Sequence, residues 1–211
     1  MRSAYPILLD LAGRTIIIVG GGAVAARKAR GLLEAGAARV RCVAPEFCDG
    51  TPDRVERIAE RYRPEHLDGA ALVFAATDQG DVNEAVVRDA HARGLLVNRA
   101  DGDEEEPGDF SVPAKLRKGD VVLTVSAGSP ALAALIRDRL DMQFDPRWAQ
   151  MADAMSALRP MIRSVGMNIG KRREIFRELA GEEALNVVAE RGVAGLRDWL
   201  RDRHPELEHA H

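Results

Sequence analysis

Thr15 to Ala25, TIIIVGGGAVA, constrains this chain more than any other stretch, because an apolar β-branched run stops there on three glycines and flows into a helical pattern. The run reads as a buried strand. The residues after it, AVAARKARGLLEAGA, carry small and apolar side chains at helical spacing and end on Gly36. Gly20, Gly22 and Ala25 form a G-x-G-x-x-A spacing at the point of hand-over. Gly20 permits the tight turn, Gly22 lets the backbone approach phosphates without a Cβ in the way, and Ala25 lets the helix pack close to the sheet. The free N–H groups of the first helical turn, at Ala23 and Val24, and the positive end of the helix dipole then face an anion. The expectation is a pyrophosphate site, and with it a dinucleotide.

Further strands are expected at Arg39–Pro45, Ala71–Thr77, Leu95–Arg99 and Val121–Ser126, with a helix over Asp81–Arg93. Thr51–Asp68 is polar and leaves room for a helix and a short strand near Ile58. Strands alternating with helices mean a parallel, doubly wound sheet of Rossmann type, whose ligands sit outside the C-terminal strand ends. The loops after Val19, Val43, Ala76 and Asn98 should therefore line one crevice. An acidic residue is expected at the end of the second strand to hold the ribose hydroxyls, but Ala44-Pro45-Glu46 stands there. Pro45 and Glu46 are the candidates at that place, although Glu46 reads nearly as well as a solvated loop carboxylate. No basic pair follows to welcome a 2′-phosphate, Arg41 being inside the strand, so NAD is favoured over NADP.

At 211 residues the chain has room for one dinucleotide domain and an addition. A net charge of −3 gives no bulk attraction to nucleic acid or membrane. No run approaches the ~20 apolar residues that cross a bilayer. Asp10 and Arg14 interrupt any signal-peptide layout at the N-terminus, so the cytoplasm is expected. Cys42 and Cys48 are six positions apart, not in a C-x-x-C arrangement, and read as two reduced structural thiols.

Several segments resemble the precorrin-2 dehydrogenase and sirohydrochlorin ferrochelatase family of siroheme synthesis, of the siroheme synthase N-terminal type. They are YPILLDL at 5–11, VGGGAVAARKARGLLEAGA at 19–37, VAP at 43–45, and AATD at 75–78 followed by Asn83. GLLVNRAD at 94–101, DFSVPA at 109–114 and SPALAALIRDRL at 129–140 continue the series. The resemblance covers about the first 140 residues in order. It implies a Rossmann-like NAD-binding domain over residues 1–112, a linking and dimerisation segment over 113–145, and a helical C-terminal domain over 146–211 in a homodimer. It implies oxidation of precorrin-2 by NAD to sirohydrochlorin, and in some members insertion of ferrous iron. It adds Thr77, Asp78 and Asn83 to the cofactor site. It makes Asp101 the candidate acid/base, a role that fits reactions in which protons leave the macrocycle. The acidic run Asp101, Asp103, Glu104, Glu105, Glu106 leaves Asp103 as an alternative.

A tetrapyrrole with eight carboxylates calls for cations. Arg99 and Lys115 are candidates, with Ser126 and Ser129 as hydrogen-bond donors, although Ser129 before Pro130 reads equally well as a helix N-cap. Arg117, Lys118, Arg137, Arg139, Arg159, Arg163, Lys171, Arg172 and Arg173 supply a further basic reserve. Only one glycine stands in the Ser126–Pro130 loop, where the family usually has two. Residues 146–203 show helical spacing, with Trp148, Met151, Met155, Leu158 and Ile162 on one face. An appendage of that size is expected to bury such a face against a second copy. His204, His209 and His211 read as a fraying terminus without a metal, and His66 and His91 as surface residues. Two other classes stay open: a dinucleotide sensor without chemistry, and a chelatase alone.

Overall fold

The computed structural model describes residues 5–100 and 108–207, which form two compact units, Met1–Val112 and Pro113–His211. In the first unit five parallel strands stand in the order β3-β2-β1-β4-β5. They are β1 (Thr15–Val19), β2 (Arg39–Val43), β3 (Glu56–Ile58), β4 (Leu72–Ala75) and β5 (Val97–Arg99). Helices α1 (Ala23–Glu34) and α2 (Gly80–Ala92) supply the crossovers after β1 and β4.

Strand alternation divides the apolar side chains between two faces. Ile16, Ile18, Val40, Cys42, Leu72 and Phe74 pack with Ala25 and Ala29 of α1, while Ile17, Val19, Val43, Val73 and Ala75 pack with Val86 and Ala90 of α2. Burial on both faces explains why β1 and β4 read as unbroken apolar runs. Burial also pushes the Cys42 thiol up to about 12, which leaves it a neutral core side chain. The order in which strands are added reverses between β1 and β4, which flank the switch point of the sheet.

The second unit opens with β6 (Ala114–Lys118) and β7 (Val121–Val125), paired antiparallel. This corrects the expectation that Val121–Ser126 belongs to the alternating parallel pattern. Only Gly119 and Asp120 separate the two strands, which suffices for a hairpin and not for a crossover. Gly119 takes a φ of +55°, and the Asp153 carboxylate accepts a hydrogen bond from the Asp120 N–H at 2.9 Å. Four helices follow: α3 (Pro130–Met142), α4 (Pro146–Ser164), α5 (Ile169–Leu179) and α6 (Glu182–Arg203), the last kinked at Gly192 with φ +64°.

Helices α4 to α6 bury Met151, Leu158, Met161, Ile162, Ile175, Leu179, Leu196 and Leu200 in one core. The expectation that Met151, Leu158 and Ile162 need a second copy to cover them is therefore overturned, since α5 and α6 already cover them, while Trp148 of the same face stays 47% exposed. A further run of exposed apolar side chains lies on α3, at Leu132, Leu135, Ile136, Leu140 and Met142. His204 does not fray either: it is 2% exposed and its Nε2 lies 2.9 Å from Glu178. Among the described residues no helix is long and apolar enough to cross a membrane, and no three His, Cys, Asp or Glu side chains gather as a metal site.

Candidate functional site

A crevice of about 1260 Å³ opens in the first unit, bounded by Gly20–Val24, Ala44–Cys48, Arg61–Tyr62, Ala76–Gln79 and Ala100. It lies where β1 and β4 end, and the loops after Val19, Val43 and Ala76 all contribute to it.

The three glycines of the turn do different work. At Gly20, where φ is +141°, a Cβ would stand 2.3 Å from the Ala76 carbonyl oxygen. At Gly21 it would stand 1.9 Å from the Glu46 carbonyl oxygen, and the Gly21 carbonyl accepts from the Cys48 N–H at 2.8 Å. Those two glycines let the loops after β4 and β2 close onto the turn. Gly22 differs. Its φ of −83° suits any residue, and beyond its own chain neighbours no atom lies within 4 Å of the place a Cβ would take. The space a side chain would fill is open on the crevice side, as close approach by a phosphate requires. Sequence reasoning treated Gly21 as the variable position of the motif. Only the packing of the 44–48 loop on the turn reveals its role.

Gly22 is also the N-cap of α1. It offers no side chain to its first-turn N–H groups, and that turn carries no acidic residue. The donors at Ala23 and Val24 and the positive helix end therefore keep their capacity for an anion. Pro45 and Glu46 are exposed on the wall at the end of β2.

On the opposite wall Thr77 and Asp78 line the crevice, whereas Asn83 does not. Asn83 is fully buried beneath the loop. Its Oδ1 accepts from the Thr77 N–H at 3.1 Å and the Thr77 hydroxyl at 2.8 Å, and its Nδ2 donates to the Thr77 carbonyl at 3.0 Å. Its place is to hold Thr77.

Arg99 ends β5, with its guanidinium near Gly80 at the start of α2. Lys115, Ser126 and Ser129 belong to the second unit. Lys115 lies in β6, Ser126 follows β7, and Ser129 is the N-cap of α3, accepting from the Leu132 N–H at 3.2 Å. Asp101 and Asp103 lie outside the described residues.

Two residues of the crevice lining escaped the sequence reading. Arg61 and Tyr62 line the crevice; burial, and then the hydrogen bond that the Tyr62 hydroxyl donates to Asp89 at 3.0 Å, raise the Tyr62 pKa. Lys28 of α1 reaches Asn98 of β5. His66, expected at the surface, has a side chain only 9% exposed and accepts from the Arg63 N–H.

Residues 7–114 match the family model described as “Putative NAD(P)-binding”. The chain belongs to this NAD(P)-binding family. The resemblance to the precorrin-2 dehydrogenase family holds with it, and the dinucleotide expected from the glycine turn, NAD, agrees with it.

The chain is 34% identical over 203 residues to siroheme synthase 2 of Aeromonas hydrophila, covering 93% of this chain and 43% of that relative. It is 37% identical over 179 residues to siroheme synthase of Chromobacterium violaceum, covering 82% of this chain and 37% of the relative. It thus spans about two fifths of the length of these curated relatives. The solved structure of “SirC, precorrin-2 dehydrogenase” superposes with a TM-score of 0.77 at 22% identity, over 94% of this chain and 100% of that one. At that identity the likeness shows a shared fold.

Proposed function

We propose that this chain oxidises precorrin-2 to sirohydrochlorin with NAD, as a step of siroheme synthesis. The observation that carries the reading is Gly22. Neither its backbone angles nor its neighbours call for glycine, in an NAD(P)-binding chain whose curated relatives include siroheme synthases. A phosphate against the backbone does call for it.

NAD supplies the hydride acceptor. The N–H groups of Ala23 and Val24 hold its pyrophosphate, and Glu46 accepts from a ribose hydroxyl. Thr77 and Asp78, fixed from below by Asn83, form the facing wall. Arg61 on the crevice lining is the feature in favour of NADP, since a guanidinium pairs with a 2′-phosphate. Titration with both dinucleotides decides between them.

Ring oxidation releases a proton along with the hydride, and Asp101 is the assigned acceptor, with Asp103 the alternative. The same carboxylate serves ferrous iron insertion, in which pyrrole protons must leave and iron is a substrate. Arg99, Lys115, Ser126 and Ser129 are the assigned contacts to substrate carboxylates. A homodimer belongs to this reading, with the exposed α3 face, Leu132, Leu135, Ile136 and Leu140, covered by a second copy. Light scattering that finds a monomer at micromolar concentration removes the dimer.

Purified protein mixed with precorrin-2 should develop the absorbance of sirohydrochlorin only when NAD is present. NAD binding without conversion leaves a sensor, and metal insertion into sirohydrochlorin without NAD-dependent oxidation leaves a chelatase. Asp101→Asn should lower turnover by ~10²-fold with NAD affinity unchanged. If Asp103→Asn is the variant that loses activity, the acid/base is two residues further on.

A further inference from the structure

Lys28 stands one and a half turns into α1, facing the edge of the sheet at β5. Its ammonium donates to the Asn98 Oδ1 at 2.7 Å and lies 5.0 Å from the centroid of the Phe74 ring. Asn98 is 6% exposed and in register with Phe74 across the β4–β5 pair. Its Nδ2 donates to the Phe110 carbonyl at 2.8 Å, and the Phe110 ring meets Phe74 edge-on at 5.4 Å.

One amide thus ties helix α1 to the middle of β5 and to the segment that returns beside it. The Asp109 N–H donates to the Val97 carbonyl at 2.8 Å and secures the same segment. Two residues beyond Asn98, Ala100 forms the crevice wall on the side of β1 and β4 away from Glu46.

Among the described residues no carboxylate pairs with Lys28. An apolar residue in place of Lys28 would leave the Asn98 Oδ1 without this donor, and one in place of Asn98 would do the same to the Phe110 carbonyl. What the polar pair adds is direction: the oxygen of the amide is assigned to α1 and its nitrogen to Phe110, which fixes the side chain and the strand end that carries it.

We propose that Lys28 is a positioning residue for the reaction, its ammonium locking the Asn98 amide and thereby the end of β5 where Ala100 enters the crevice. The inference rests on the dehydrogenase reading for its catalytic consequence and on the hydrogen bonds alone for its structural part. Burial, and then the charge of Arg27, push Lys28 down to about 8, so the lock changes character within an accessible range. The groups facing it from β4, β5 and the returning segment, Phe74, Asn98 and Phe110, are uncharged. Cys42, on the same face of the sheet, is a neutral thiol in that range.

The test joins two readouts on the full chain, with Lys28→Met and Lys28→Arg. In nitrogen-detected NMR the side-chain amide of Asn98 should shift with a midpoint near pH 8 in the parent protein and show no such midpoint in either variant. In NAD-dependent oxidation of precorrin-2 the parent kcat should fall as pH rises through the same midpoint. Lys28→Arg should abolish that limb, and Lys28→Met should give a flat profile ~10-fold lower, with NAD affinity within about twofold.

An Asn98 amide that keeps its midpoint in Lys28→Met overturns the proposal. So does a parent alkaline limb that survives in Lys28→Arg. A parent protein that leaves precorrin-2 unchanged overturns the dehydrogenase reading and with it the catalytic role, while the NMR titration still decides whether Lys28 locks the amide.

Discussion

Gly22→Val separates the glycine that serves a ligand from the two that serve the fold. At φ −83° and ψ −174° valine is allowed, and beyond the chain neighbours no atom stands within 4 Å of the new Cβ, so that atom meets no clash. The cost to stability is that of replacing a glycine N-cap by a β-branched residue, ~0.5–1 kcal/mol. Binding should suffer far more. The added side chain occupies the space over the first-turn N–H groups, where each hydrogen bond to a charged partner contributes ~1.5–3 kcal/mol. Displacing the pyrophosphate from two of them costs ~3–6 kcal/mol, or ~10²–10⁴ in NAD affinity. Gly21→Ala is the counterpart. Its methyl would stand 1.9 Å from the Glu46 carbonyl oxygen and 2.9 Å from the Ala44 Cβ, so the backbone must move, and a loss of ~2–4 kcal/mol is expected. Calorimetric titration with NAD and urea unfolding give both numbers. A folded Gly22→Val that binds NAD as the parent does, or that loses as much stability as Gly21→Ala, refutes the division of labour.

Asn83→Ala removes the three bonds that hold Thr77, empties the fully buried Asn83 position and leaves the half-buried Thr77 N–H and carbonyl without these partners; urea unfolding should show a loss of ~1–3 kcal/mol, and NAD affinity should fall with it. Leu158→Ala opens a cavity in the α4–α6 core, where Leu158 is 0% exposed, and should cost ~2–5 kcal/mol in the second unit's unfolding transition with NAD affinity kept. Lys28, held near 8 by burial against an unfolded value near 10.5, binds fewer protons folded than unfolded between those pH values. Its penalty is therefore full below pH 8 and is relieved as pH rises toward 10.5, so stability should climb by ~1–2 kcal/mol across that window after allowance for partial exposure, and the climb should vanish in Lys28→Met.

The parallel sheet was legible because burial on both faces writes itself as uninterrupted apolar runs, and Ile16–Val19 and Leu72–Ala75 are such runs. The glycine turn was legible for the same reason: a strand that stops on Gly-Gly-Gly before small residues at helical spacing has few other uses. Strand β6 was missed because AKLRK alternates charge with a single buried position, Leu116, and so resembles a solvated loop until its partner VVLTV folds back on it. The tail misled in the other direction. Its methionine face looked too large for the helices available, yet α4 folds against α5 and α6, whose own apolar positions, Ile175, Leu179, Leu196 and Leu200, complete the core.

The same distinction runs through the site. Residues whose backbone does the work, such as Gly20, Gly22 and Ala23, announce themselves by the absence of a side chain or by position in a motif. Residues that work through a long-range hydrogen bond do not. Lys28 sits in AARKARG as one of three cations on a helix that a sequence reader assigns to solvent, and nothing local distinguishes it from Arg27 or Arg30. Its partner is 70 residues away, and only the register that brings Asn98 opposite Phe74 turns a surface lysine into a half-buried, partnered one. Gly21 follows the same rule, since its need for glycine comes from the Glu46 carbonyl in a different loop. A motif specifies which backbone approaches the ligand; the side chains that hold that backbone in place are set by strand register, and they become visible only when the sheet is assembled.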